Sequence, residues 1–285
     1  MDATTDTQTP DAARIAAAVA AVQDRIACGK ADLPPVPEVA LEVLRLSRSD
    51  DLDVKKLTDV AGRDQALAGQ ILRVANSPLW QPREPIVSLQ QAVARMGAAA
   101  VSNVAFLIAA KGDGFQAGLS AEDAAKEWRH ALLVGCFAKE IARARRASVE
   151  SAFLCGLLHD IGRPIFMREW AKELPGTPPP PLSDDADQTL HVAAGVALVK
   201  AWGLNETCAD AVAGHHGEGG FVGRNAAATV CLADRMAGLL AEDKACLGND
   251  FVGDPAAMAL NLYPDDVASI WDRRENLRAV ADALR

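Results

Sequence analysis

Long apolar runs are missing from this sequence of 285 residues. No stretch approaches the roughly 20 residues needed to span a bilayer, so no membrane segment is expected. Positive charge is also in short supply. Lys and Arg number 29 against 38 Asp and Glu, a net charge of −9, so the composition offers no general basic face and nucleic acid is not the expected partner. Cys-x-x-Cys spacing is absent. Cys28, Cys136, Cys155, Cys208, Cys231 and Cys246 are scattered, mostly among Ala, Leu and Val, where a free thiol acts as a small core hydrophobe. The segment Met1 to Pro10 is polar and acidic, with neither a signal peptide's apolar stretch nor a transit peptide's basic face. The expected location is the cytoplasm. Period-two alternation long enough for a sheet is lacking too, while 50% hydrophobic content excludes a mainly disordered chain.

What remains is helical periodicity, and the expected class is all-α. Residues 11–28 are Ala-rich, with Ile15, Val19, Val22 and Ile26 at helical spacing. Prolines at 34, 35 and 37 precede a helix with the apolar face Val39, Val43 and Leu46. Asp53 begins a candidate helix through Leu57 and Val60, and Asp64 and Ser88 stand where helix caps are expected. Asn76-Ser77-Pro78 stops one helix, and Asn76 and Ser77 are expected to hold that turn by side-chain to backbone bonds. Pro78, Leu79 and Trp80 form a candidate exposed apolar tip, or else a plug at the helix end. Val101 to Ala110 reads as a buried helix. Residues 111–120 (KGDGFQAGLS) mark the best internal boundary. Beyond it, helices are expected over about 120–146, 149–158, to about 173, then 188–202, 205–216, 224–241 and from Pro264. The prolines of 174–188 make that stretch a loop.

Histidine is distributed unevenly. None of the five (His130, His159, His191, His215 and His216) lies in the first 129 residues, and each falls on a predicted helix or near the end of one. Asp160 follows His159 directly, and Asp234 interrupts the apolar run ATVCLADRMAGLL, where an unpaired carboxylate is costly. Imidazole and carboxylate suit divalent transition ions, and in a helical bundle such ligands converge from several helices. Adjacent helical residues point about 100° apart. His215 and His216 therefore serve one cluster only if the helix ends there or a second ion is present. The alternative is a set of core histidines satisfied by carbonyls and carboxylates.

The order His130, His159-Asp160, Asp234 resembles the ligand set of the HD superfamily of metal-dependent phosphohydrolases. The chain from about Leu33 is, more specifically, similar to the HDOD (HD-related output domain) family. The carrying segments are LPPVPEVALEVLRL, RDQALAGQILRVANSPLW, IVSLQQAVARMG, EWRHALLVGCFAKEIA, AFLCGLLHDIGRPIF, HVAAGVALVKAWGLNETCADAVAGHH, LADRMA and LYPDDVASIWDRRENL. The resemblance implies two packed helical subdomains, 33–112 and 120–242, the second an HD-like bundle. A leader, 1–32, lies outside the match, and 243–285 is a C-terminal helical extension.

Two functions follow as expectations. One is a bacterial regulatory module that binds protein or ligand, with signalling proteins of two-component or cyclic-di-GMP pathways as partners. The other is a metal-dependent phosphohydrolase or cyclic-nucleotide phosphodiesterase acting on a nucleotide or phosphate ligand. In the second, one or two divalent ions (Mn, Fe, Mg, Ni or Zn) are held by His130, His159, Asp160, His191, His215, His216 and Asp234. Arg163 then assists at the phosphate, and Glu218 is a weak candidate base. Departures from the pattern include the lack of Gly-Tyr-Pro after HHGEGG and Arg163 where phosphodiesterase relatives often carry Lys.

Overall fold

The computed structural model describes residues 12–33, 38–47, 53–77, 80, 82, 84–110, 120–177, 184–217, 219–244 and 248–283, and among these residues every regular element is a helix. The first group is α1 (Ala12–Ala27), α2 (Glu38–Ser47), α3 (Val54–Ala61), α4 (Gln65–Ala75), α5 (Leu89–Met96) and α6 (Ala98–Ala110). The second is α7 (Ala121–Ala144), α8 (Val149–Leu158), α9 (Gly162–Glu173), α10 (Asp184–Ala201), α11 (Glu206–Gly214) and α12 (Asn225–Ala241). A 3₁₀ turn (Gly248–Phe251), α13 (Pro255–Ala259), α14 (Pro264–Trp271) and α15 (Arg274–Ala283) complete the chain.

Helices α2 to α6 form one bundle, and side-chain caps start three of them. The Asp53 carboxylate accepts from the Lys56 amide, Asp64 accepts from those of Ala66 and Leu67, and Ser88 and Gln91 make a reciprocal capping box. Each cap satisfies amide groups that the helix leaves orphaned, stabilising it by about 1 kcal/mol. Val43, Leu57, Val60, Leu67, Ile71, Val93 and Val101 fill the core. Asn76 ends α4 as expected of it: its amide donates to the carbonyls of Leu72 and Ile86, and its oxygen accepts from the Ile86 amide. Ser77 differs from expectation, because its buried hydroxyl has no hydrogen-bond partner.

The second bundle is organised around α7, which α8, α12, α14 and α15 all contact. Gly135 and Gly156 set its closest crossing: a Cβ on Gly156 would lie 2.9 Å from the Gly135 Cα. Only two glycines let these backbones approach so nearly. Cys136, Cys155 and Cys208 are buried here as free thiols, whereas Cys28 is exposed; Cys246 lies outside the described residues. Helix α10 begins at Asp184, earlier than the sequence suggests. Helix α1 packs against α9 and α10 of this bundle rather than against the first one, burying Ala18, Val22 and Ile26.

The apolar cores of the two bundles are separate clusters. Where α6 meets α8, the Asn103 amide donates to the Glu150 carbonyl at 2.8 Å. Trp80 does not form an exposed tip. It is partly buried, with the Lys139 ammonium 4.0 Å from its ring centroid, a cation–π contact that crosses between bundles. Pro78 and Leu79 lie outside the described residues.

Candidate metal centre

Two helices end at the centre, and each ends on histidine. Helix α8 stops at Leu158 with His159 as its C-cap, and Asp160 lies in the turn leading to α9. Helix α11 stops at Gly214 with His215 as its C-cap, and His216 follows. Gly217, at φ +86°, then turns the chain away in a conformation that side chains resist. His159 and His215 themselves keep right-handed helical backbone angles, and the His215 and His216 rings still meet with centroids 3.9 Å apart. The C-terminal ends also carry the negative pole of the helix dipole, which favours a cation.

The same second contact orients both C-cap rings. His159 Nδ1 lies 2.7 Å from the Gly156 carbonyl and His215 Nδ1 lies 2.8 Å from the Val212 carbonyl. A carbonyl oxygen only accepts, so Nδ1 holds the proton in each ring and the Nε2 lone pair faces inward. Helix α10 supplies His191, and Gly162 at the start of α9 governs its position. A Cβ on Gly162 would stand 1.8 Å from the His191 carbonyl oxygen, so glycine alone permits this approach. Helices α7 and α12 contribute His130 and Asp234.

Asp160 sits between the two sets of ligand atoms. Its Oδ1 is 3.2 Å from His191 Nε2 and 3.3 Å from His215 Nε2, while Oδ2 is 3.4 Å from His159 Nε2. His216 Nε2 closes on His191 Nε2 at 3.0 Å. On the other side, His130 Nε2 meets Asp234 Oδ1 at 3.0 Å, and His159 Nε2 lies 3.8 Å from the same oxygen. Two groups therefore offer converging donor atoms, Asp160 with His191, His215 and His216, and His130 with His159 and Asp160.

The electrostatics suit a cation. Burial pushes His159 down to about 4, against the pull of Asp160 and Asp234. His216 also falls to about 4, through burial and the neighbouring His215 and His191. Burial opposes charge on Asp160, but His159, His191 and His215 outweigh it and hold the carboxyl well below the usual range. Asp234 is lowered in the same way, its burial overcome by His130 and His159. His130 alone moves up: burial works against its proton, yet the bond to Asp234 and the charges of Asp234, Asp160 and Glu127 prevail.

A metal fits this set. The buried atoms His159 Nε2 and Asp160 Oδ1 have no hydrogen-bond partner. With Nδ1 of His159 and of His215 committed to a backbone carbonyl, Nε2 of each is turned toward the Asp160 carboxylate, a donor set that a cation would draw together. Neutral imidazoles with carboxylates favour Mn, Fe, Ni or Zn over Mg.

Arg163, expected at a phosphate, lies at the rim, its guanidinium 3.3 Å from Asp160 Oδ2 and 3.8 Å from Glu127 Oε2. It is thus tied to the Asp160 carboxylate as well as open to solvent. Glu127 was not singled out from the sequence, although it lies one turn before His130 in EWRH and shares that helix face. Glu218 lies outside the described residues.

The HDOD domain family matches residues 33–218. That is well over half of the chain, which therefore belongs to the HDOD family. An uncharacterized protein of Treponema pallidum (strain Nichols) is 28% identical over 209 residues, covering 69% of this chain and 39% of that protein. The match thus spans well under half of that relative's length. Among solved structures, an HDOD domain protein of unknown function from Geobacter sulfurreducens aligns with a TM-score of 0.71 and 22% identity, covering 95% of this chain and 99% of that one. A candidate metal-dependent phosphohydrolase from Shewanella amazonensis SB2B aligns with a TM-score of 0.67 and 18% identity, covering 94% and 99%. At these identities the structural likeness establishes the fold.

Proposed function

We propose that this chain is a regulatory HDOD-family protein whose second bundle holds two divalent ions and hydrolyses phosphoesters. The carrying observation is the position of Asp160, whose Oδ1 faces His191 and His215 while its Oδ2 faces His159. His191, His215 and His216 would hold one ion, and His130, His159 and Asp234 the other, with Asp160 shared. Such ions supply Lewis-acid activation of phosphate and of water, lowering its pKa toward ~7. The chain does the rest. The Gly156 and Val212 carbonyls fix the tautomers of His159 and His215. Glu127 and Asp160 hold the Arg163 guanidinium at the mouth, where its outer face can take a phosphate oxygen. His130 and Asp234, both half-buried, form the side open to substrate. A nucleotide or other phosphoester ligand suits this chemistry.

The test is turnover of p-nitrophenyl phosphate and bis-p-nitrophenyl phosphate by Mn-loaded protein, beside the His159→Ala/Asp160→Ala variant. Hydrolysis lost in the variant supports the reading, and no hydrolysis of either ester by an ion-loaded protein contradicts it. A second reading, a binding module that senses its ligand without turnover, draws on the engagement of Arg163 by Asp160 and Glu127. On that reading the ion-loaded protein binds phosphate but does not cleave it. Signalling proteins of two-component or cyclic-di-GMP pathways would be the partners under either reading.

A further inference from the structure

We infer that α1 is an intramolecular latch on the metal centre, coupled to ion binding through α9 and α10. This rests on the two-ion reading. Helix α1 precedes the family match, which begins at residue 33, yet its apolar face (Ala18, Val22, Ile26) belongs to the core of the ligand-bearing bundle.

The polar part of the contact is centred on one buried carboxylate. Glu169 of α9 is 1% exposed and accepts from Arg25 Nε at 2.7 Å, Lys172 Nζ at 2.7 Å and the Asp32 amide at 3.1 Å. Arg25 also donates to the Glu169 carbonyl at 3.2 Å and pairs with Glu173. Arg168 donates to the Asp32 carbonyl at 3.2 Å. The chain is thus gripped at the end of α1 and again at Asp32. Removing one partner of so buried a carboxylate leaves it uncompensated, so the latch tends to be either fully made or released.

All four α9 partners, Arg168, Glu169, Lys172 and Glu173, lie in the C-terminal half of that helix. Its other end carries Gly162 and Arg163 next to Asp160. Twelve residues of α-helix reach about 18 Å, short enough to move as one body. Gly162 in turn lies against the His191 backbone, and α1 touches α10 as well as α9. A shift of α9 on release of α1 would therefore displace Asp160 and His191 together, which are ligands of the same ion. Residues 25 and 169 act through α9 and are positioning residues.

Thermodynamic reciprocity makes this testable: if α1 docking favours ion binding, ion binding must favour α1 docking by the same factor. Mn²⁺ titration of chelator-stripped full chain is compared among wild type, Arg25→Glu and Arg278→Glu. Arg278 of α15 bonds the Leu240 carbonyl and Asp243 at the end of α12 and serves as a control of similar kind. Arg25→Glu is expected to weaken the ion held by His191 about tenfold, within the usual range of coupling, while Arg278→Glu leaves it unchanged. Arg25→Lys should recover part of the loss. In wild type, Mn²⁺ should slow amide exchange in α1 by a larger factor than in α14 and α15, which share its core and carry no candidate ligand, an excess that a purely structural α1 would not show. Circular dichroism of each metal-free variant guards against global unfolding; if Arg25→Glu unfolds, the wild-type exchange result decides alone. Slowing in α1 no greater than in α14 and α15 with Mn²⁺ bound, or equal affinity in a folded Arg25→Glu with α1 released, overturns the coupling. A wild type that binds no ion removes the two-ion reading itself and the coupling with it.

Discussion

In the bundle of α2 to α6 the core is apolar: Val43, Leu57, Val60, Ile71 and Val101 are essentially inaccessible to water. In the bundle of α7 to α12 three imidazoles, those of His159, His191 and His215, are buried as deeply. The first draws its stability from burial and caps, which need nothing from outside the chain. The second accepts the cost of enclosing lone pairs and a carboxylate with too few protons to share among them. Such a site lowers stability unless something occupies it, so the stability of the second bundle is tied to its function.

The comparison is broken most severely at Asp160. Asp160→Ala should lose both ions, because the shared carboxylate is gone, and with them any phosphoester turnover, a fall of at least about 10³-fold on the scale of lost electrostatic catalysis. Elemental analysis of the purified variant checks the first part and ester hydrolysis the second. A core truncation in the other bundle should do the converse. Leu57→Ala is expected to destabilise the protein by about 2–5 kcal/mol, seen by denaturant titration, with ion stoichiometry unchanged.

Ion removal sharpens the contrast. An ion that binds only the folded state at a concentration 100 times its Kd stabilises it by about 2.7 kcal/mol. Adding Mn²⁺ to stripped protein should therefore slow amide exchange in α8, α11 and α12 and leave α3 to α5 unchanged. Equal protection of both bundles would mean that they behave as one cooperative unit.

Acidification should strip the ions because His130 is raised above the ordinary imidazole value. Below its folded pKa His130 is protonated, so an ion must displace that proton, and affinity rises as pH rises through this range. In metal-free protein the sign reverses. The His130–Asp234 pair stabilises the fold below the unfolded imidazole pKa, and that contribution is lost as pH climbs through the higher folded value. His159 and His216, held to about 4, stay neutral throughout this window. Titration calorimetry at several pH values and thermal melts without metal read the two effects. The smallest expected change is Ser88→Ala, about 1 kcal/mol from a lost capping box, with no effect on ion binding.

Much of this contrast was legible in the sequence. The caps at Asp64 and Ser88, the helix start at Asp53 and the helix-stopping role of Asn76 follow from local chemistry, so residue type and position suffice. The uneven placement of histidine pointed to the second bundle, and His215-His216 raised the question of a helix end or a second ion. The fold gives the first answer, since α11 ends there, and it brings two groups of atoms that could take an ion together at Asp160. Three features were hidden because they depend on contacts between distant segments. Gly162 looks like a loop glycine until the His191 backbone is placed against it. Trp80 reads as either an exposed tip or a helix-end plug until Lys139 arrives from the other bundle. Helix α1 carries no family motif, and its partners Glu169 and Glu173 lie more than 140 residues away.

The most direct test is a crystal of the chain grown with Mn²⁺ and measured at a wavelength where manganese scatters anomalously. Two anomalous peaks straddling the Asp160 carboxylate, one beside His191, His215 and His216 and the other beside His130, His159 and Asp234, are predicted. An ordered centre with no peak, its imidazoles closed on one another by hydrogen bonds, would contradict the account.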